Sequence, residues 1–301
     1  MSVKQYFLGG NTAHGFYSLY DGFCPPEDGG FLWVIKGGPG CGKSSFMKRI
    51  GLAAEKQGLD VEYVLCSGDP ASVDGVRIPA LGVGYVDGTA PHTLDVPFPA
   101  ASGSYLDLGQ FYDMAALREK KSEIIGLNRA YKSCYQEAYR ILSAASGAAE
   151  AILAPQKEPH LTFSAVKKTP GSLTRRFSQA ICCKGVVTAE PVVSRCIGGF
   201  ADVQALAEEA RQAGLDVVLH PHPLLPELAK SVTLTGTRER YSADSRPLDD
   251  AFSPFIADAI EALRKAKKLH DELEQVYNPR VDFDSVYALA GQHIARLFPE
   301  A

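Results

Sequence analysis

The run Gly37-Gly38-Pro39-Gly40-Cys41-Gly42-Lys43-Ser44 satisfies G-x-x-x-x-G-K-[ST] at every fixed position, and no other stretch restricts the fold of this chain as tightly. Such a loop needs a strand ahead of it and a helix behind it, and both are legible. Phe31-Leu32-Trp33-Val34-Ile35 is an apolar, β-prone run that enters the glycines through Lys36. Ser45 to Gln57 has helical spacing. Phe46, Ile50 and Ala53 fall on one face, Lys48, Arg49, Glu55 and Lys56 are left for water, and Gly58 supplies a C-terminal stop.

The chemistry behind the pattern is anion binding. Several backbone N–H groups must converge on phosphate oxygens, which takes conformations and a closeness of approach that glycine tolerates cheaply. The positive end of the following helix adds to the attraction. Gly37, Gly38, Pro39, Gly40, Cys41, Gly42, Lys43, Ser44 and Ser45 are therefore the expected nucleotide-binding residues. Lys43 is expected to reach the β- and γ-phosphates as a mobile charge, and the Ser44 hydroxyl to ligate Mg2+. ATP is the expected ligand. Guanine reading by N-K-x-D has no counterpart, since Asn128 is followed by Arg129 and Ala130.

A carboxylate for the magnesium ion is expected at the end of a neighbouring strand. Asp87 is that candidate, closing Leu81-Gly82-Val83-Gly84-Tyr85-Val86-Asp87, with an intermediate strand from Val61 to Cys66. Lys43 and Asp87 are the expected catalytic pair. Asp69 and Asp74, in the loop that begins Cys66-Ser67-Gly68-Asp69-Pro70 and in its continuation, are accessory candidates for orienting a water or capping a turn. His92, five residues past Asp87, is an accessory candidate for positioning a nucleophile. The residue after Asp87 is Gly88, so the adjacent glutamate that many motor and transporter ATPases use to activate water is missing.

At 301 residues and 46% hydrophobic content the chain is long enough for two α/β domains. A net charge of −4 argues against a protein devoted to nucleic acid, although a local basic groove is compatible with it. Small molecules, a protein partner or self-association fit better. No apolar run reaches membrane-spanning length and the first residues lack a signal-peptide core, so the cytoplasm is the expected compartment. Seven cysteines without a CxxC pair suit reduced thiols, and adjacent Cys182 and Cys183 read as buried small hydrophobes.

The C-terminal half carries an echo of the first. Gly58-Leu59-Asp60-Val61 recurs as Gly214-Leu215-Asp216-Val217, an offset of 156 (58 to 214), and at that offset Pro70 falls on Pro226 and Gly42 on Gly198. Lys43 then falls on Gly199 and Ser44 on Phe200, so the second loop has lost its cation and its hydroxyl. Ala116-Leu117-Arg118 resembles Ala262-Leu263-Arg264, in helical pairs expected at about Met114 to Ile152 and Pro254 to Phe298. The expected organisation is a nucleotide-binding domain at 1–158, a linker at 159–178 and a degenerate α/β domain with C-terminal helices at 179–301. Lys167, Lys168, Arg175 and Arg176 lie in the linker, where an arginine could reach a nucleotide.

Taken together, Gly9-Gly10-Asn11-Thr12-Ala13-His14-Gly15-Phe16, the loop Lys36 to Ser44, Cys66 to Pro70 and Leu81 to His92 resemble an uncharacterised bacterial family of P-loop ATPases with two tandem P-loop-type halves. The resemblance covers most of the chain. It implies ATP binding by Gly37 to Ser44 without supplying a substrate or a cellular role. Longer members keep a recognisable second phosphate loop, whereas Val193 to Phe200 does not. The expected fold class is α/β, a P-loop NTPase fold with a mainly parallel sheet followed by a related, degenerate half. Three functions fit: an Mg-dependent ATPase, a phosphotransferase acting on a small molecule, and a non-hydrolysing nucleotide sensor.

Overall fold

The computed structural model describes residues 3–26, 29–91, 93–153, 179–188, 194–197, 217–221, 229–234 and 246–299. Its strands before the first long helical region are β1 (Val3–Tyr6), β2 (Gly9–Thr12), β3 (Gly15–Ser18), β4 (Phe31–Lys36), β5 (Val61–Leu65), β6 (Val73–Ile78), β7 (Val83–Asp87) and β8 (Gly103–Asp107). Helix α1 (Lys43–Lys56) follows β4, and α2 (Met114–Glu119) and α3 (Lys121–Leu153) follow β8. Beyond them come β9 (Gln179–Cys182), β10 (Gly185–Thr188), β11 (Ser194–Ile197), β12 (Val217–Pro221), β13 (Ala229–Leu234), α4 (Arg246–Tyr277) and α5 (Phe283–Leu297).

The chain is α/β, with a mostly parallel six-stranded sheet ordered β1-β5-β6-β7-β4-β8. β4 pairs in parallel with β7 on one side and β8 on the other. β6 runs antiparallel to both β5 and β7, so β5 points the same way as β4, β7 and β8. The sequence pattern gave β4, β5 and β7 but took the stretch carrying Asp74 for loop; it is the inserted strand β6. The miss has a physical source. Val73-Asp74-Gly75-Val76-Arg77-Ile78 holds an aspartate, a glycine and an arginine in six positions, which hides a strand whose pairing on both edges makes it form.

α1 begins two residues earlier than its apolar pattern suggests and ends as expected, Gly58 taking the left-handed conformation (φ 75°) just past the last turn. Its buried face is Phe46, Met47, Ile50, Gly51 and Ala54, so Ala54 takes the place expected for Ala53. These side chains pack on Ile35, Val61, Val76, Ile78, Tyr85 and Leu106 from the sheet, and α5 adds Val286 and Ala290 to the same core.

His293 of α5 is buried in that core against Trp33, Phe46 and Tyr85, with its Nδ1 3.1 Å from the Tyr85 hydroxyl. Burial, with help from Arg296, holds its pKa below the ordinary histidine value. The unfolded imidazole takes up a proton at a higher pH than the folded one. Its contribution to stability is therefore complete above the ordinary value near 6.5 and is lost as the pH falls through the depressed folded value. Denaturant unfolding should show stability falling between pH 7 and 5 by up to about 1.4 kcal/mol per pH unit for this group. The fall should be shallower in His293→Phe, and equal slopes in the two proteins would remove His293 as a source.

Two compact units interleave along the chain, one of Met1–Lys4, Ser18–Ser133 and Lys265–Ala301, the other of Gln5–Tyr17 and Cys134–Arg264. The last stretch of the chain thus packs with the sheet that bears the glycine loop instead of with the residues before it. In the second unit the β2–β3 hairpin lies against β9, fixed by buried Asn11, whose Nδ2 donates to Ile181 O at 2.8 Å and whose Oδ1 accepts from the Tyr139 hydroxyl at 3.0 Å. Its core joins Ala138, Leu142 and Ala145 of α3 to Ala259, Ala262 and Leu263 of α4. Cys182 and Cys183 are buried, and neither forms a disulfide. No helix of the described residues is long and apolar enough to cross a membrane.

A separate three-stranded antiparallel sheet is ordered β11-β13-β12. Moved along by 156 residues, Val61–Leu65 falls on Val217–Pro221 and Val73–Ile78 on Ala229–Leu234, the bounds of β12 and β13. The register repeats as well, since Glu62 opposes Arg77 and Val218 opposes Thr233. The helical echo is weaker. Ala116-Leu117-Arg118 lies in the short α2, which buries none of its residues, whereas Ala262 and Leu263 are buried mid-way along α4, a helix that starts at Arg246 with Pro254 inside it. The segment 159–178, with Lys167, Lys168, Arg175 and Arg176, and the positions Gly198 to Phe200, Gly214 to Asp216 and Pro226 lie outside the described residues.

Candidate functional site

The carboxyl ends of β4, β5, β7 and β8 share one edge of the sheet, where ligands of open α/β sheets gather. Gly37 to Gly42 leave β4 at that edge and pass into α1. Gly42 is the residue before the helix and sits at φ 89°, a left-handed conformation that other residues adopt only with strain. It offers no side chain to cap the helix, and the first turn holds no acid. The positive end of α1 thus carries neither a side-chain cap from Gly42 nor an acid of its own, the arrangement expected where a helix receives an anion.

Lys43 opens α1 and folds back over the loop. Its Nζ donates to Gly37 O and Gly38 O at 2.9 Å each and lies 3.6 Å from Asp87 Oδ2. Burial works against its charge, but Asp87, Cys41 and Asp74 outweigh burial and raise its pKa, so it is an ammonium at neutral pH. Asp87 stands at the end of β7, in register with Ile35 on the neighbouring parallel strand. Its Oδ1 accepts from Thr89 N at 2.8 Å and from the Thr89 hydroxyl at 2.6 Å, which leaves Oδ2 turned to the loop. Lys36, the last residue of β4, donates to Gly88 O and Leu94 O at 2.9 Å each and so ties down the segment that follows Asp87.

Ser44 meets this group from α1 and Asp74 from β6. Ser44 Oγ accepts the Val73 N–H at 3.1 Å. The β5–β6 register slips between Val64 and Leu65, so Leu65 opposes Val73 while Val64 opposes Gly75, and Asp74 is the extra residue of a bulge. Bulges of this kind re-aim side chains beside functional sites. Asp74 is 5% exposed and accepts from the buried Tyr20 hydroxyl at 3.2 Å. In the β12–β13 pair the corresponding register runs on regularly to Pro221 opposite Lys230. Asp69 behaves differently. It caps its own turn through Ala71 N and the Ser72 hydroxyl and pairs with Lys267 Nζ at 3.4 Å. Cys41 is buried, and burial pushes its thiol up, so it is no thiolate nucleophile. His92 lies outside the described residues.

Sequence reasoning missed the part of the site that comes from the end of the chain. Gly40 sits at φ 67° directly beneath Asn278, whose side chain would overlap any Cβ placed there; with its amide turned to satisfy both groups it donates to Gly40 O at 2.9 Å. The Tyr112 hydroxyl donates to Pro39 O at 2.9 Å, and its ring packs against Tyr277 at 5.3 Å. Phe283 and Val286 approach Gly42 from α5. No family model, no curated protein and no solved structure matches this chain.

One turn before this contact, α4 brings His270, Asp271 and Glu274 together, with an imidazole nitrogen and two carboxylate oxygens within 4.8 Å of one another. His270 Nδ1 faces Glu274 Oε1 at 3.8 Å, and its ring lies 5.4 Å from that of Tyr131. Burial lowers the His270 pKa; Glu274 and Asp271 oppose this, while Lys267 and Lys43 reinforce it. The signal was present in the sequence as His270-Asp271-x-x-Glu274, a spacing that puts the first and last residue on one helical face.

Proposed function

We infer that this chain binds ATP with Mg2+ on the loop Gly37–Ser44 and hydrolyses it. The observation that carries this reading is the position of Lys43, folded on the loop carbonyls and 3.6 Å from a carboxylate at the end of the adjacent parallel strand. Phosphate oxygens entering the loop take over the contacts that Gly37 O and Gly38 O now make with the ammonium. The donor set suits a small hard cation, which takes one or two protein oxygens and completes its shell with phosphate and water. Ser44 Oγ and Asp87 would hold it, with Asp74 one strand away. Bound there, the ion would neutralise charge building on the bridge to the departing diphosphate.

On this reading the six-stranded sheet is a P-loop NTPase sheet with an inserted antiparallel strand. The matching bounds and register of β5–β6 and β12–β13 support a related second half that has lost the residues of its phosphate loop. That half serves as a regulatory or partner surface instead of a second catalytic centre.

Calorimetric titration tests the reading. ATP should bind the wild type in a magnesium-dependent way and more tightly than GTP, with slow release of phosphate to water. Asp87→Asn should keep nucleotide binding while losing most of its dependence on magnesium. Absence of binding by either nucleotide would end the reading. Release that begins only when an acceptor is added would replace the hydrolase by a phosphotransferase.

A further inference from the structure

Resting on the ATPase reading, we propose that His270 is the general base of the site, taking the proton of the water that attacks the γ-phosphate, with Glu274 holding its ring. Lys267, His270, Asp271 and Glu274 share one face of α4, and Asn278 continues that face past the helix end. The face is anchored at two places, the turn between β5 and β6 and the glycine loop. Lys267 pairs with Asp69 beyond β5, and Asn278 contacts Gly40, with Glu274 O close by. Eleven residues of helical rise, about 16 Å, separate those anchors. His270 lies between them, and the Lys43 charge is among those that act on its ring.

The arrangement answers a need the sequence left open, because the position after Asp87 carries no acid. Glu274 faces Nδ1 and favours the tautomer with the proton there, leaving the Nε2 lone pair for water. Their 3.8 Å separation closes to a hydrogen bond with a small rotation, as catalytic contacts often do when substrate arrives. The groups facing His270 are Lys267, Asp271 and Glu274 on its own helix, Lys43 from α1 and Tyr131 from α3. Burial pushes the Tyr131 hydroxyl to about 12, so it stays neutral. The imidazole is uncharged at neutral pH, the form that accepts a proton. In the step, the water oxygen bonds to the γ-phosphorus while the bond from that phosphorus to the β–γ bridging oxygen breaks. ADP leaves with the electron pair, and the water proton goes to Nε2 and then to solvent.

The test compares wild type, His270→Gln and His270→Ala for Mg-ATP binding by calorimetry and for phosphate release over a range of pH, with circular dichroism to check folding. Binding should change by less than about 3-fold, whereas release should slow on the order of 100-fold, the usual contribution of a positioned base. Added imidazole should restore part of the rate to His270→Ala. The wild-type rate should fall toward acid pH as His270 protonates, and that limb should vanish in His270→Gln. Release by His270→Gln equal to wild type, or a wild type that binds ATP and releases no phosphate, would overturn the proposal. Absence of ATP binding by the wild type would instead overturn the reading beneath it.

Discussion

Lys43→Ala should weaken Mg-ATP binding by about 1,000-fold, roughly 4 kcal/mol, and bring phosphate release to background. The side chain is 12% exposed and Asp87 opposite it is 14% exposed, so both charges act in a setting that water screens poorly. A triphosphate entering the loop meets this ammonium, the leading N–H groups of α1 and no other lysine or arginine among the described loop residues. Deleting it also touches the empty protein. Asp87 keeps its two bonds from Thr89 but loses its cation, and Gly37 O and Gly38 O lose a donor. Because both partners retain some contact with water, the expected loss of stability is about 2 kcal/mol, below the range for a fully buried broken pair. Calorimetry and denaturant unfolding on the same preparation separate the two effects. An alanine variant that binds ATP as tightly as wild type would remove Lys43 from the site.

The loop, its strand, its helix and Asp87 were all legible in the sequence because each depends on local chemistry: glycines where the backbone must turn or be approached closely, an apolar run before them and a 3.6-residue pattern after them. Asp74 was legible as a candidate but not as a placement, since what aims it is a bulge set by pairing between β5 and β6. The contribution of the last helices was invisible for a different reason. His270, Tyr277 and Asn278 lie more than two hundred residues from Gly40, and a pattern read along the chain gives no sign that Lys265–Ala301 packs with the first sheet. Sequence order suggested two consecutive domains; the interleaved units arise because long helices α3 and α4 carry the chain out of the first unit and back into it.

Gly88→Glu should not speed phosphate release, although it installs an acid where many ATPases have one. The reason is direction. A Cβ at position 88 would fall inside the envelope of Val34 Cγ1 and 3.2 Å from Lys36 Nζ, so the side chain starts into β4 and away from Lys43. Val34 is fully buried, and the Gly88 N–H is held by Ile35 O at 2.9 Å, which leaves the backbone little room to yield. A new carboxylate near Lys36 would also compete with Gly88 O and Leu94 O for that ammonium and loosen the segment that follows Asp87. Overpacking combined with a partly buried charge should cost about 3 kcal/mol in denaturant unfolding, with Gly88→Ala costing less. Phosphate release should fall in step with the disturbed Asp87. A Gly88→Glu protein that folds at wild-type stability and releases phosphate faster would show that position 88 faces the nucleotide, and the base would then have to be sought on β7 instead of on α4.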